Sequence, residues 1–436
     1  MSQKKATFAV TPRLFVPHRR PIILPEAFYG FRRPRTIDPQ DIYHAVWEAV
    51  AGLAYDQSFL TQWAAFAHKY CDQIRTVEDA VRFANEALAL LDDPYTRVLD
   101  PEKTGEHNDE RVGTLVGIGV VFEGDPDSQG NLVIARVLEN GPADKGGLKA
   151  GDVLLKADGI ALAGKDRKEV IDLITGEEGT TVKITVSRDG AEVSHDIVRG
   201  IINVPTVRTE RLGKVAYIKL AAFMQDDTVD EMVAALTEQA DADAYIIGLR
   251  YNPGGQVMNC IRTASLFLDR GEIVSIRQRV PFRGYQKTTY RLEADRLVTE
   301  ILDEDSGRTY IQEMPREKNL AGGKPVVVLV DNYSASASEM LAGALKDLGR
   351  ATIVGKATYG KGIGQTVQPM LGDTTLIVTS LRYYNPSGHW VGDGHNNKYG
   401  VTPHHEVDLP EGVMAGSPED AQLNFALELV GKKLAG

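Results

Sequence analysis

The spacing of apolar residues along the chain first indicates helices. Over residues 39–92, apolar side chains recur at three- and four-residue steps in the segments DIYHAVWEAVAGLAY and TVEDAVRFANEALALL, which is the period of an amphipathic helix. Thr76 stands before the second segment with Asp79 three residues later, a capping arrangement, and Asp93-Pro94 ends the segment. We predict a helical N-terminal region over residues 37–104.

A different pattern follows. Glycine-containing turns separate four short β-rich runs: LVGIGVVF, LVIARV, DVLLKADG and TVKITVSR. One short helix is predicted from Arg167 to Ile174. These features are typical of a compact, mostly β domain, which we place over residues 105–200.

Strands and helices alternate over residues 213–400. The apolar runs VAYIKL, AYIIGLR and PVVVLV each precede a helical segment, and ATIVG precedes a glycine-rich loop. This alternation predicts a largely parallel sheet covered by helices. We place this core over residues 201–415 and a C-terminal helix over residues 416–436. The charged stretch 285–318 is predicted to be an inserted helix and loop.

Composition excludes several classes of protein. Apolar residues make up 43% and charged residues 25% of the 436 residues, which is ordinary for a globular chain. Two cysteines, Cys71 and Cys260, allow neither a disulfide framework nor a cysteine-rich zinc site. No apolar run approaches the roughly 20 residues of a membrane helix. The net charge of −11 argues against a nucleic-acid partner.

The first 36 residues differ in charge from the remainder. Residues 1–36 contain eight Lys or Arg, one acidic residue and five prolines, so we expect an extended basic arm lying on the acidic body; a nucleic-acid or membrane role is the alternative. The arm lacks the apolar stretch of a signal peptide. This predicts a cytoplasmic protein.

Three loops that follow apolar strands contain residues suited to catalysis. They are residues 252–255 (NPGG), 334–339 (SASASE) and 359–362 (YGKG). In an open parallel sheet the carboxyl ends of the strands meet at one edge, where ligands bind. We therefore expect the three loops to converge.

Ser336 is the first candidate. Glu339 follows it by three residues in front of an apolar helix, which makes a capping box. One interpretation is a simple helix cap. The other is a nucleophile at the positive end of a helix, where the Ala337 N–H would stabilise developing negative charge.

Lys361 is the candidate base, because burial can lower a lysine pKa towards neutrality. If the following residues are extended, Gln365 lies on the same face and would orient the amine. The alternative is a solvated lysine in a glycine-rich loop. The NPGG turn has two interpretations: its glycine N–H groups are further donors for the oxyanion hole, or it is only a tight turn between a strand and a helix. His389, His395, His404 and His405 form no obvious triad or zinc site, so we interpret them as surface or loop residues.

Together these segments resemble the carboxyl-terminal processing peptidases, serine peptidases with a Ser-Lys pair. The resemblance covers residues 40–410 and rests on the strings DDPYTRVLDPE (92–102), GIGVVF (117–122), GPADKGGLKAGDVLLKADG (141–159), LRYNPGG (249–255), VLVDNYSASASEMLAGALKD (328–347), VGKATYGKGIGQT (354–366) and LRYYNPSG (381–388). It implies that Ser336 is the nucleophile, Lys361 the general base and Gln365 the residue that orients the lysine. The oxyanion hole would consist of the Ala337 N–H and the N–H of Gly254 or Gly255.

The same resemblance implies a multidomain α/β fold. Its parts are a crotonase- or Clp-protease-like core, an inserted PDZ domain and the helical N-terminal region. Gly117, Ile118 and Gly119 match the PDZ loop that holds a substrate carboxylate. The implied partners are unfolded or flexible protein C-termini, with no metal, no organic cofactor and no nucleic acid. Homo-oligomers, an activating adaptor and an exported location are further features of the family.

Four positions depart from the family pattern. Gly248 and His404 stand where Asp is usual, Lys356 replaces a common Glu, and Tyr359 replaces a common Phe. These departures leave a second hypothesis, a catalytically idle PDZ scaffold. A third is a crotonase-like acyl-CoA enzyme, which the PDZ domain and the Ser-Lys pair argue against.

Overall fold

A computed structural model describes residues 37–112, 114–122, 130–138, 140–203, 205–281, 283–410, 412–413 and 415–435. The basic arm predicted over residues 1–36 lies outside these described residues. Within them, no helix is both long and apolar enough to cross a membrane.

Helices occupy both N-terminal segments with helical periodicity. The elements are α1 (Pro39–Leu53), α2 (Leu60–Trp63), α3 (Val77–Leu88), β1 (Arg97–Leu99) and α4 (Pro101–Val112). The capping box of Thr76 and Asp79 is confirmed, because the Asp79 N–H donates to the Thr76 hydroxyl over 3.1 Å and the Thr76 N–H donates to the Asp79 carboxylate over 3.2 Å. Trp47 and Trp63 each donate their indole N–H to the other's backbone carbonyl, which fixes α2 against α1.

The second part is the mostly β domain. Its elements are β2 (Thr114–Gly117), β3 (Val120–Phe122), β4 (Ile134–Val137), α5 (Pro142–Lys145), β5 (Val153–Ala157), β6 (Ile160–Ala161), α6 (Arg167–Ile174), β7 (Thr181–Arg188), β8 (Ala191–Val198) and β9 (Gly200–Asn203). The predicted helix is confirmed as α6, whereas the short helix α5 was not predicted. β2 and β9 pair antiparallel, so the chain enters and leaves this part side by side.

The third part contains the remaining elements. They are β10 (Val207–Leu212), β11 (Val215–Leu220), α7 (Thr228–Glu238), β12 (Ala244–Gly248), α8 (Val257–Ser265), β13 (Gly271–Arg279), β14 (Tyr285–Leu292), β15 (Arg296–Asp303), β16 (Thr309–Pro315), β17 (Val326–Val330), α9 (Ala337–Asp347), β18 (Thr352–Gly355), β19 (Ile363–Pro369), β20 (Thr375–Tyr384), β21 (His405–Glu406) and α10 (Ala421–Ala435).

A six-stranded sheet supports the predicted loops. Its order is β10-β11-β12-β17-β18-β21, and every neighbouring pair from β11 to β21 is parallel. β12 and β17 are buried along their whole length, because helices cover both faces of the sheet. The loops after β12, β17 and β18 therefore leave neighbouring strands at the same edge, as predicted.

The prediction of a helix and loop over residues 285–318 is wrong. This stretch forms β14, β15 and β16, three strands of an antiparallel sheet with the order β1-β20-β13-β14-β15-β16. Its high charge suggested a solvated helix, but the segments are rich in Thr, Tyr, Val and Ile, which favour strands. Arg296 and Glu313 pair across neighbouring strands over 3.0 Å, so the sheet accommodates the charge on its exposed face.

Candidate active site

Hydrogen bonds connect the NPGG loop directly to the SASAS loop. The Asn252 side-chain amide donates to the Leu220 carbonyl over 2.8 Å. The Asn252 carbonyl accepts the Ala335 N–H over 3.0 Å and the Ser338 hydroxyl over 2.9 Å. Because Asn252 is buried, these bonds set the two loops in a fixed relation at the edge of the sheet.

The three serines of the SASAS run have different environments. Ser334 and Ser338 are completely buried, and their hydroxyls donate to the backbone carbonyls of Leu249 and Asn252. Ser336 is only half-buried and precedes α9, an 11-residue helix. Its backbone has φ 56° and ψ −115°, a strained conformation for a residue with a side chain. A sharp, strained turn of this kind presents a serine at the amino end of a helix.

Glu339 connects the Ser336 loop with the Lys361 loop. Its Oε2 accepts the N–H of Ser336 and the N–H of Lys361, each over 2.8 Å. Its Oε1 accepts the Gly360 N–H over 2.7 Å and the Thr358 hydroxyl over 2.6 Å. Burial raises the pKa of Glu339, although these four bonds favour its charged form. The sequence indicates only the cap, because the partners of the second loop lie about 20 positions away.

The structure brings the backbones of Ser336 and Lys361 together and places the lysine ammonium over an aromatic ring. The Lys361 Nζ lies 4.3 Å from the centre of the Tyr95 ring, a cation–π contact. Within the part of the chain that the structure describes, no hydrogen bond joins the Lys361 ammonium to the Ser336 hydroxyl. Burial lowers the pKa of Lys361, the positive charge of Arg97 lowers it further, and Asp93 opposes them.

Tyr95 is a site residue that the motif analysis did not single out. Its hydroxyl donates to the Gly394 carbonyl over 3.0 Å and lies 3.3 Å from the Tyr359 hydroxyl. It follows the N-terminal helices in the chain, far from the core loops, so only the aligned string around residues 92–102 could have drawn attention to it.

The two glycines that flank Lys361 permit close backbone contacts. A Cβ at Gly360, where φ is +90°, would lie 2.7 Å from the Lys398 Cα, and a Cβ at Gly362 would lie 2.8 Å from the Trp390 ring. The Trp390 indole also donates to the Gly362 carbonyl. Glycine is therefore required on both sides of the lysine.

Gln365 is in β19 but does not hydrogen-bond to Lys361 in the described residues. Its amide donates to the Thr379 hydroxyl over 3.1 Å. The pairing of β19 with β20 shifts register between Gly364 and Gln365. The extra residue of this β-bulge is Ser380 in β20, and β19 begins at Ile363, so Lys361 precedes the strand whose two-residue alternation the predicted alignment assumed.

The two glycines of the NPGG turn differ in their N–H groups. The Gly254 N–H donates to the Asn252 side chain over 2.9 Å. The N–H groups of Gly255 and Ala337 have no acceptor among the described residues. A Cβ at Gly254 would lie 2.8 Å from the Ala337 nitrogen and from the Ser336 Cβ, so this turn lies directly against the amino end of α9.

The segment predicted to hold a substrate carboxylate is a bend between β2 and β3. The carbonyls of Ile118 and Gly119 accept the N–H groups of Ala143 and Leu138. The N–H groups of Ile118 and Gly119 have no acceptor in the described ranges. Gly117 ends β2 opposite Gly200. β3 pairs only with β4 among the described strands, which leaves its other edge open next to these N–H groups.

A buried ion pair holds the loop after β12. Arg250 donates to both carboxylate oxygens of Asp420 over 2.9 and 2.6 Å and to the Tyr217 hydroxyl over 2.9 Å. Burial would raise the pKa of Asp420, but the hydrogen bonds from Arg250 and from the backbone N–H groups of Leu423 and Gly416, together with the Arg250 charge, outweigh this effect and lower it. A Cβ at Gly248 would lie 3.0 Å from the Tyr217 ring. A side chain at position 248 would therefore crowd that ring.

Comparison with known proteins identifies the class to which this fold belongs. Residues 214–407 match the model of peptidase family S41, and residues 133–188 match that of the PDZ domain. The chain belongs to peptidase family S41, and within it to the carboxyl-terminal processing serine proteases. The sequence-based assignments to this family and to a mixed α/β fold with a PDZ domain are confirmed.

Three relatives illustrate the similarity. The carboxyl-terminal-processing protease of Picosynechococcus sp. is 31% identical over 406 residues, which cover 90% of this chain and 89% of that protein. The carboxy-terminal-processing protease of Bartonella bacilliformis is 31% identical over 347 residues, 78% of this chain and 71% of that protein. The solved photosystem II D1 C-terminal processing protease has a TM-score of 0.52 at 28% identity, covering 86% of this chain and 95% of that one.

Proposed function

We propose that this protease is an endopeptidase that cleaves peptide bonds through an acyl-enzyme on Ser336. The Ser336 hydroxyl attacks the scissile carbonyl carbon, and its proton passes to the neutral amine of Lys361. The resulting ammonium returns the proton to the leaving amine as the C–N bond breaks. Lys361 then removes a proton from water, which attacks the ester and releases Ser336.

One observation carries this assignment. A single oxygen of Glu339 accepts the N–H of both Ser336 and Lys361, so the two loops share one hydrogen-bonding centre. The half-burial of Ser336 supports the role of nucleophile, because Ser334 and Ser338 are buried and occupied by backbone carbonyls. The lowered pKa of Lys361 supports its role as a base.

The mechanism requires the lysine side chain to turn from Tyr95 towards Ser336. A cation–π contact contributes about 0.5–2 kcal/mol, which substrate binding is able to offset. Gln365 would then exchange Thr379 for the Lys361 amine and act as a positioning residue. The described arrangement is therefore a resting state in this proposal.

For the oxyanion hole we favour the N–H groups of Ala337 and Gly255. Both lack a protein acceptor in the described structure, whereas the Gly254 N–H is occupied by Asn252. A helix end and an adjacent turn that direct N–H groups at one point would stabilise the tetrahedral intermediate. Gly254 serves by allowing the turn to lie against α9.

The PDZ domain, in this proposal, captures the C-terminus of a flexible protein. The peptide would add as a strand to the open edge of β3, and its carboxylate would accept the N–H groups of Ile118 and Gly119. Gly117 would keep the approach to them open. This arrangement links recognition of a chain end to cleavage elsewhere in the same chain.

The finer description of the fold is part of the same proposal. Parallel strands with an N–H-lined loop at their carboxyl edge support a crotonase- or Clp-protease-like core over residues 201–415. The PDZ limits at residues 105 and 200 belong to the proposal; α4 (Pro101–Val112) continues across the first limit, and the pairing of β2 with β9 supports the second, near residue 200. The helical region over 37–104 and the C-terminal helix over 416–436 complete this organisation.

Cleavage of an unstructured polypeptide, followed by mass spectrometry, tests the catalytic assignment. We expect Ser336→Ala and Lys361→Met to lower turnover at least about 10⁴-fold, the scale found when a nucleophile or its base is removed. Ser387→Ala and Lys432→Met are matched controls, since both residues are exposed, and should retain turnover.

Binding of a C-terminal tail peptide should survive in all four variants. Unchanged turnover in Ser336→Ala would refute the assignment of the nucleophile. Tail binding without turnover in the parent, together with no labelling of Ser336 by a fluorophosphonate, would favour the idle scaffold.

A further inference from the structure

Three side chains with metal-binding atoms meet in the N-terminal helical region. His44 is in α1, and His68 and Cys71 are in the turn that precedes α3. The Cys71 Sγ lies 3.6 Å from the His44 Nε2 and 3.9 Å from the His68 Nδ1. One ligand atom from each residue lies within 4.8 Å of the other two.

These distances fit a tetrahedral ion. With Zn–S near 2.3 Å and Zn–N near 2.0–2.1 Å, a tetrahedral angle separates sulfur from nitrogen by about 3.6 Å. The two sulfur–nitrogen distances in the structure are within a few tenths of an ångström of this value. Small rotations of the side chains would therefore be sufficient to surround an ion.

The backbone on both sides of the cluster is already fixed. The Gln40 amide, one turn before His44 on α1, donates to the Cys71 carbonyl over 3.0 Å. The Tyr43 hydroxyl donates to the Phe66 carbonyl over 2.6 Å. The turn with His68 and Cys71 is thus fastened to α1 at both ends, and little ordering is needed on binding.

We propose that His44, His68 and Cys71 bind a Zn²⁺ ion that fastens α1 to the turn at residues 66–71. A thiolate with two imidazoles is a ligand set that zinc prefers, and three protein ligands leave a fourth position for water. His68 is exposed, while His44 and Cys71 are half-buried, so an ion has a path to the site. Only the thiolate and neutral imidazoles bind, so binding releases protons.

The other cysteine provides an internal comparison. Cys260 is fully buried and donates its S–H to the Ala337 carbonyl, away from any histidine ligand in the described residues. A chemical probe of thiols in the folded protein therefore reports on Cys71. The alternative to a metal is hydrogen bonding within the cluster, one S–H···N bond from Cys71 to one imidazole and one N–H···S bond from the other imidazole, which predicts no response to zinc.

Titration of the metal-free full-length protein with Co²⁺ and Zn²⁺ tests the proposal. We expect one ion per chain, a thiolate-to-cobalt charge-transfer band that Zn²⁺ abolishes, and protection of Cys71 from alkylation by Zn²⁺. Cys71→Ser should abolish the band, and His44→Gln and His68→Gln should each weaken zinc binding at least about 10-fold. His395→Gln, which removes a loop histidine outside the cluster, is the control.

Circular dichroism establishes whether the variants keep the fold. The response of the parent protein to zinc tests the proposal without any variant. Zinc should raise the Tm of the parent but not of Cys71→Ser. Absence of a charge-transfer band and of Cys71 protection in the parent would overturn the proposal. So would equal zinc binding in the parent and Cys71→Ser, and binding of copper alone would overturn the assignment to zinc.

Discussion

At the scale of single residues, the surroundings of Lys361 control whether its amine is able to accept a proton. Burial lowers its pKa first, and the charge of Arg97 adds to the effect. A neutral lysine forms as the pH rises through this pKa, so the rate of a lysine-dependent protease should increase with pH along an ascending limb below the ordinary lysine value of about 10.4.

Arg97→Gln should move that ascending limb to higher pH. Removal of the positive charge makes the ammonium form of Lys361 less unfavourable, which raises its pKa. The measurement is kcat/KM against pH for a peptide substrate. Arg82→Gln removes an exposed arginine of α3 and should leave the limb in place; an equal shift in both variants would show a general charge effect instead.

Tyr95 offers a second residue-scale prediction. Tyr95→Leu removes the ring that holds the Lys361 ammonium, so we expect the limb to move to lower pH and basal turnover to rise about 2–30-fold, corresponding to a cation–π contact of about 0.5–2 kcal/mol. Tyr95→Phe keeps the ring and should change neither. Lower turnover in Tyr95→Leu at every pH, with the fold intact, would contradict the resting-state proposal.

At the scale of elements, the contact between α10 and the loop after β12 rests on a buried charge pair. Asp420→Asn should lower the free energy of unfolding by about 3–5 kcal/mol, because the Arg250 charge stays buried without its partner. Denaturant unfolding of the full chain measures this loss. Asp241→Asn breaks an exposed pair with Arg211 and should cost only about 0–1 kcal/mol.

The same pair gives a pH dependence with a definite sign. The pKa of Asp420 is lowered in the folded protein, so the stability it contributes is present above its unfolded pKa of about 3.9 and is lost as the pH falls through the folded value. The unfolding free energy of Asp420→Asn should therefore fall less steeply in acid than that of the parent. Parallel pH curves would contradict this linkage.

Elements with a clear apolar period were predicted closely, and those without one were missed. The strand VAYIKL and the helix α6 have the limits that their patterns indicate. β14 to β16 were misread because charge was weighed above the content of Thr, Tyr, Val and Ile. The start of β19 at Ile363, after Lys361, was also beyond prediction, since it depends on the pairing with β20 rather than on local sequence.

In the candidate active site, too, residues with a local sequence pattern were predicted, and contacts between distant loops were not. Ser336 and Lys361 stand out in the sequence because glycines and a helix cap surround them. The bridging role of Glu339 and the contact of Tyr95 with Lys361 arise only when distant loops meet. A local pattern holds no information about such partners, and the structure was needed to find them.

At the scale of the whole molecule, the proposed division of labour between PDZ domain and core predicts a dependence on the substrate's free carboxylate. A substrate with an amidated C-terminus should show a KM about 10–100-fold higher with kcat nearly unchanged, since charge-assisted hydrogen bonds contribute about 1.5–3 kcal/mol. Acetylation of the N-terminus is the matched control. Equal KM values for the amidated and free forms would contradict capture of the carboxylate.

The mutual indole bonds of Trp47 and Trp63, and the contact of Trp390 with Gly362, account for all three tryptophans of the chain. Tryptophan fluorescence therefore has two separate sources, one in the N-terminal helices and one beside the Lys361 loop, and none in the PDZ domain. Trp390→Phe would leave an emission signal from the helices alone. Optical spectroscopy is thus able to follow the lysine loop and the helical region independently, while a peptide that docks on the PDZ domain needs its own dye.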